Sequence, residues 1–100
     1  MKIERLATRA GMRVFSQGGA VYRGAGVPGG VKAGVRAVLD RNFEVYEEDQ
    51  LARRTTVMSL LVSEVPRTHD GQDTIERDGR VWHVDATLDD DGYERVVEVS

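Results

Sequence analysis

The sequence contains no cysteine among its 100 residues. This absence excludes disulfides and thiolate metal sites and is typical of a cytoplasmic protein. No apolar run approaches the roughly 20 residues that a membrane helix needs. The N-terminus, from Met1 to Arg5, also lacks the uninterrupted apolar stretch of a signal peptide. We therefore expect a single cytoplasmic domain, at a length where one hydrophobic core is adequate.

The charge is unevenly distributed along the chain, whose net charge is -3. Residues 1–50 carry 8 Lys and Arg against 6 Asp and Glu, whereas residues 51–100 carry 6 against 11. A protein that grips a phosphate backbone usually has a clear basic excess. DNA contact through Arg9, Arg13, Arg23 and Lys32 is therefore a remote hypothesis, and surfaces of opposite sign favour contacts between proteins.

The last third of the chain predicts a three-stranded meander. Asp73–Arg77, Arg80–Leu88 and Tyr93–Val99 bear apolar residues at strand spacing, and two Gly-containing acidic turns, Asp78-Gly79 and Asp89–Gly92, separate them. Asp-Gly between two such runs is a strong hairpin pattern, because Gly adopts positive φ at little cost. A meander this short must pack against further strands. Trp82 is the expected core anchor of the middle strand.

The rest of the chain adds strands and one helix. Apolar spacing predicts a short amphipathic helix at Lys2–Ala10. Strands are expected at Ala20–Arg23, Val35–Asp40 and Thr55–Val65. The sequence thus predicts a mainly β, α+β fold: a small β-barrel or sandwich of about six to seven antiparallel strands. It forms one domain over residues 1–100, with a helical segment at 1–16, a barrel at 20–100 and mobile loops near 24–34 and 44–54.

Three candidate sites have simpler interpretations. Gly24–Gly29 fits the GxGxxG pattern, but a nucleotide site also needs a following helix, which Pro28 and a strand-like run disfavour. The Asp89–Gly92 turn partly matches a calcium loop, although its flanks alternate like strands. We keep a small ligand- or calcium-binding module using this turn as the alternative function. His69 and His83 lack metal-ligand spacing, and no catalytic, cofactor or metal residues are predicted.

The charged segment 44–54 is the candidate for a protein interface. It is too polar for a core element and long for a hairpin loop, so it is either a solvated loop or one that orders when a partner binds. The residues predicted to form the interface are Glu44, Tyr46, Glu47, Glu48, Asp49, Arg53 and Arg54.

The order of these pieces carries a family resemblance. The segments concerned are the N-terminal helix leading to Phe15, Ala20–Gly26, Val35–Asn42, the charged loop, Arg53–Pro66, Gly71–Thr74, Arg77–Val84 and the Asp-rich turn with Gly92. Over nearly its whole length the chain resembles the small head-tail joining (head-completion) proteins of tailed phages and prophages. It is most similar to a prophage group sometimes mislabelled as ATP-binding sugar-transporter-like, related in fold to the lambda joining protein. One departure is Gln72, which separates Gly71 from Asp73 where such proteins more often place Gly directly before Asp.

The resemblance implies a β-barrel with a peripheral helix and a long mobile loop. It also implies a structural virion protein without enzymatic activity or cofactor, which docks as a self-associated ring between the portal complex and the tail. Its location would be the virion, and the host bacterial cytoplasm during assembly. Membrane and specific nucleic-acid partners are not implied.

Overall fold

The fold consists almost entirely of β-strands. A computed structural model describes residues 2–3, 19–46 and 52–100. Within them lie eight strands and one short 3-10 turn at Pro28–Gly30. The strands are β1 (Lys2–Ile3), β2 (Ala20–Arg23), β3 (Val31–Val35), β4 (Ala37–Tyr46), β5 (Arg53–Leu61), β6 (Thr74–Arg77), β7 (Arg80–Asp90) and β8 (Glu94–Val99).

All neighbouring strands run antiparallel in one sheet of order β1-β4-β5-β8-β7-β6-β2-β3. The long strand β7 belongs to two ladders, since its first four residues pair with β6 and the remainder with β8. The sheet is open in its hydrogen bonding but curls. Arg77 Nε of β6 donates to the Ala37 carbonyl oxygen of β4 at 3.1 Å, although these strands are not neighbours in the order.

Two hydrophobic clusters lie on opposite faces of the central strands. The larger contains Tyr22, Met58, Trp82 and Val97, with Leu39 packed against it. The smaller contains four fully buried residues, Phe43, Val45, Val57 and Val96. Val57 and Met58 are consecutive in β5, and Val96 and Val97 are consecutive in β8. Because consecutive residues of a strand point to opposite faces, both strands bury both of their faces.

The predicted meander is confirmed, with strand bounds that differ by a few residues. The β6–β7 turn has positive φ at both central residues, 54° at Asp78 and 79° at Gly79, which is the pattern of a type I′ hairpin. Trp82 is 3% exposed and lies in the larger cluster, as expected of a core anchor. Leu88 has the same parity as Trp82 along β7 but packs against the smaller cluster. The β7–β8 ladder has one register shift between Val84 and Ala86 and another between Thr87 and Asp89, around Leu88.

The N-terminal helix predicted at Lys2–Ala10 is wrong at its start. Lys2 and Ile3 form β1, paired with Tyr46 and Val45 of β4. A short helix gains little from its own hydrogen bonds, whereas a strand edge offers a ready backbone partner. Residues 4–10 of the predicted helix lie outside the described residues.

Both expected loops are shorter than their predicted bounds. Strand β3 (Val31–Val35) takes the last four residues of the range 24–34. The range 44–54 loses its first three residues to β4 and its last two to β5. At the second range, Glu44 of β4 and Arg54 of β5 are directly opposite and carry opposite charges, which favours continued strand pairing.

Candidate protein interface

Four of the seven predicted interface residues lie at the end of the β4–β5 hairpin where the chain passes from β4 to β5. Glu44 and Tyr46 belong to β4, and Arg53 and Arg54 belong to β5. The ladder places Glu44 opposite Arg54 and Val45 opposite Arg53. The other three predicted residues, Glu47, Glu48 and Asp49, lie outside the described residues. Residues 47–52 connect the two strands at this end.

The pair between Glu44 and Arg54 is weak and open to solvent. Arg54 Nη2 lies 3.8 Å from Glu44 Oε1, and the two side chains are 69% and 41% exposed. Tyr46 Oη donates a hydrogen bond to the other carboxylate oxygen of Glu44. Exposed ion pairs stabilise a fold by about 0–1 kcal/mol. Arg54 can therefore exchange its partner for a group on another molecule at little cost.

Arg53 is held more firmly, by a carboxylate on β8. Its Nη1 donates to Glu98 Oε2 at 2.8 Å, and Thr55 Oγ1 donates to the same oxygen. Burial of Glu98 opposes its ionisation, but the hydrogen bonds from Arg53 and Thr55 outweigh it and hold the pKa of this carboxyl below its usual range. Arg53 thus ties the hairpin end to the body of the sheet, and Arg54 faces outward.

The glycine-rich segment packs around a buried carboxylate, Asp73. A Cβ on Gly24 would lie 2.0 Å from Asp73 Oδ1. A Cβ on Gly26 would lie 2.1 Å from the Arg67 carbonyl oxygen and 2.9 Å from Asp73 Oδ2. These two glycines of the GxGxxG pattern therefore permit close approach to a side chain of the protein itself, which explains them without a phosphate ligand.

Asp73 is 1% exposed and is fixed by donors from two segments. Tyr22 Oη donates to its Oδ2 at 2.6 Å, and the backbone N–H of His69 donates to the same atom at 3.0 Å. Burial and the contact with Asp73 raise the pKa of Tyr22 far above its ordinary value. Asp73 therefore joins β2, the glycine segment and the loop before β6. The sequence did not reveal this role, because an Asp at the start of a strand resembles any turn residue.

Two carboxylates of the Asp89–Gly92 turn, those of Asp90 and Asp91, accept hydrogen bonds from the turn and from the residues that follow it. Asp90 Oδ1 accepts the Gly92 N–H at 2.9 Å, and its Oδ2 accepts Arg95 Nε at 2.9 Å. Asp91 Oδ1 accepts the N–H groups of Tyr93 and Glu94. The Gly92 N–H first, and Arg95 second, hold the pKa of Asp90 below its ordinary value. Across the described part of the chain, no three His, Asp or Glu side chains are grouped as metal ligands, so no observation favours the calcium alternative.

Two cations of the remote DNA hypothesis, Arg23 and Lys32, have partners within the chain. Arg23 is paired with Glu76 at 2.7 Å, and Lys32 Nζ donates to the Glu64 carbonyl oxygen at 3.0 Å. Arg9 and Arg13 lie outside the described residues. No helix among residues 2–3, 19–46 and 52–100 is long and apolar enough to span a bilayer.

A small antiparallel β-domain with an exposed, charged hairpin end is typical of proteins that act through contact surfaces. Comparison with known families is specific on this point. The family model described as Phage Head-Tail Attachment protein matches residues 2–99, and the chain belongs to that family. Its role is that of a structural protein of the phage virion that joins head and tail, and its partners are other phage head and tail proteins. Neither the curated proteins nor the solved structures include a significant match.

Proposed function

We propose that this chain is a head-completion connector that closes the filled phage head and presents a surface to the tail. Copies would associate as a ring between the portal complex and the tail, after assembly in the host bacterial cytoplasm. The observation that supports this most directly is the β4–β5 hairpin end, where Arg54 is 69% exposed and weakly paired. We infer that Glu44, Tyr46, Glu47, Glu48, Asp49, Arg53 and Arg54 form a contact surface there.

The different environments of Arg53 and Arg54 in the hairpin support such a contact. Arg53, the first residue of β5, is tied to Glu98, so this end of the hairpin is fixed before a partner arrives. Glu44 and Arg54 lie opposite each other one residue further along the ladder, and both are exposed. Ordering a connecting loop costs about 1–2 kcal/mol per residue. Contact is therefore expected only where the buried interface offsets that cost, which makes docking dependent on the correct neighbour.

Shortening the hairpin tests the proposal. The variant replaces residues 47–51 with Asn-Gly, so that a two-residue turn joins Tyr46 to Ala52 in the register already set by Val45 and Arg53. The strands and the Arg53–Glu98 bond are kept, so thermal unfolding is expected to match the parent. Particle titre is measured by complementation of a phage that lacks this gene. We expect the titre to fall to that of the uncomplemented phage.

A second variant separates the charge of the loop from its length. It carries Glu47→Gln, Glu48→Gln and Asp49→Asn and keeps every residue position. A loss of titre with this variant would assign the contact to the carboxylates. If the shortened hairpin folds and still gives the full titre, the proposed role of this surface is wrong.

A further inference from the structure

Two arginines lie over one tryptophan. The guanidinium carbon of Arg80 is 3.6 Å from the centroid of the Trp82 ring, and that of Arg41 is 5.3 Å away. Trp82 is 3% exposed, whereas both arginines are exposed. Cation–π contact of this kind fixes the position of a guanidinium. We call Arg41, Arg80 and Trp82 the arginine platform.

A bulge in β4 positions Arg41. Asp40 pairs with Val57 and Phe43 with Thr55, so Arg41 and Asn42 together oppose a single residue of β5. The Asn42 N–H donates to Asp40 Oδ1 at 2.9 Å. Bulges redirect side chains and are maintained where they serve a purpose. Because β4 and β7 are not adjacent in the sheet, the bulge and the curl of the sheet together bring Arg41 to Trp82.

The platform carries charge that no carboxylate neutralises. Six other arginines of the described segments each have a carboxylate oxygen within 4.0 Å: Arg23, Arg36, Arg53, Arg54, Arg77 and Arg95. Among the same residues, Arg41, Arg67 and Arg80 have no such partner, and of these three Arg41 and Arg80 lie over the Trp82 ring. A guanidinium stacked on a ring keeps its N–H edge free for a carboxylate. The platform is thus a fixed cationic surface without its counter-charge.

The chain itself contains an acidic segment of matching charge. From Phe43 to Ala52 there are four carboxylates, Glu44, Glu47, Glu48 and Asp49, and no Lys or Arg. In one copy the first of these carboxylates, Glu44, lies three residues after Arg41 on β4, about 10 Å away along an extended strand. Two complementary patches at separate positions on one subunit generate head-to-tail contacts, which can close into a ring.

We propose that the arginine platform of one copy binds the acidic β4–β5 hairpin end of a second copy. This inference rests on the proposed function and names the partner of the hairpin end within the ring. A phosphate backbone is the less suitable occupant, because the chain has a net charge of -3 and such proteins usually carry a basic excess.

Charge reversal with rescue tests the contact in the assembling particle. The variant Arg41→Glu with Arg80→Glu places like charges at the contact, and we expect at least a tenfold loss of titre. Adding Glu47→Lys and Glu48→Lys to the same chain reverses both surfaces and is expected to restore most of the titre. Arg23→Glu with Arg36→Glu makes the same change in net charge away from the platform and is expected to keep the titre within about threefold of the parent.

The outcomes distinguish this inference from the proposed function. If the Asn-Gly hairpin variant loses titre but the platform reversal does not, the platform inference is wrong and the hairpin interface stands. If reversal of the platform abolishes titre and the combined variant does not restore it, the platform has a different acidic partner and the inference is likewise overturned. Full titre from the Asn-Gly variant overturns the proposed function itself.

A direct binding measurement covers the case in which the reversed arginines impair folding. Trp82 is the only tryptophan of the chain, so its fluorescence reports on the platform alone. We expect a peptide of residues 43–52 to change this fluorescence in a saturable way. A peptide in which Gln and Asn replace its four carboxylates is expected to have no effect. Equal responses to the two peptides would overturn the inference without use of any variant protein.

Discussion

Substitution of Gly26 by Ala is expected to destabilise the domain, because no space exists for a methyl group there. The added Cβ would lie 2.1 Å from the Arg67 carbonyl oxygen and 2.9 Å from Asp73 Oδ2. Both atoms are held in place, one by the backbone and the other by Tyr22 and the His69 N–H. The φ of Gly26 is not in the left-handed region, so the cost is steric only.

Forced expansion of a packed site costs about 1–3 kcal/mol. A change of 1 kcal/mol shifts the melting temperature of a domain of this size by roughly 4–8 °C. We therefore expect Gly26→Ala to lower the melting temperature by roughly 5–20 °C. Thermal unfolding followed by circular dichroism and denaturant unfolding followed by Trp82 fluorescence measure the effect independently.

Gly19→Ala is the matched control. A Cβ on Gly19 meets no atom within 4 Å, and its φ is also outside the left-handed region. The Gly19 N–H bond to the Val35 carbonyl oxygen at 3.2 Å is retained. Reduced freedom of the unfolded chain is expected to stabilise this variant by about 0.4–1 kcal/mol. Equal stability of the two variants would refute the packing of the glycine segment around Asp73.

Two further predictions concern hydrogen bonds to carboxylates. Tyr22→Phe is expected to lower the free energy of unfolding by about 1.5–3 kcal/mol, measured by denaturant unfolding. The control Tyr93→Phe, at a residue 69% exposed, is expected to change it by less than about 0.5 kcal/mol. Similar values for the two variants would contradict the role of Asp73. Since the Tyr22 pKa is raised in the folded state, its contribution is complete below the ordinary tyrosine pKa and is lost as the pH rises above it, so the variant should also lose less stability at alkaline pH. The Glu98 pKa is lowered in the folded state, so its contribution is present above the ordinary glutamate pKa and is lost as the pH falls through the folded value. Glu98→Gln is therefore expected to flatten the acid limb of the stability profile, and an unchanged limb would argue against the Arg53 and Thr55 bonds.

The local patterns of the sequence predicted the meander and the face of Trp82, because turn chemistry and alternation act over a few residues. They did not predict where the alternation changes face. Leu39 and Phe43 have the same parity along β4, yet they pack in different clusters because the bulge at Arg41 lies between them. A register shift depends on the partner strand, which the sequence of β4 alone does not specify.

The candidate interface could be predicted from the sequence only in part, for a similar reason. The charge of the segment 44–54 is visible in the sequence, and it led to the prediction that this end of the hairpin is a protein interface. The arginine platform was not predicted, since Arg41 and Arg80 are 39 positions apart and meet only when the sheet curls. Asp73 likewise acquires its role from Tyr22, 51 positions away. Long-range contacts of this kind leave no trace in local periodicity.

The membership of β7 in two ladders has a consequence for cooperativity. One continuous backbone carries the pairs with β6 up to His83 and the pairs with β8 from Val84 onward. Opening of either ladder therefore exposes backbone amides of β7. We expect that the amide hydrogens of the β6–β7 ladder and those of the β7–β8 ladder do not exchange with solvent independently of each other. Slow amide exchange is expected to be uniform along β7, which would keep the two parts of the sheet rigid relative to each other.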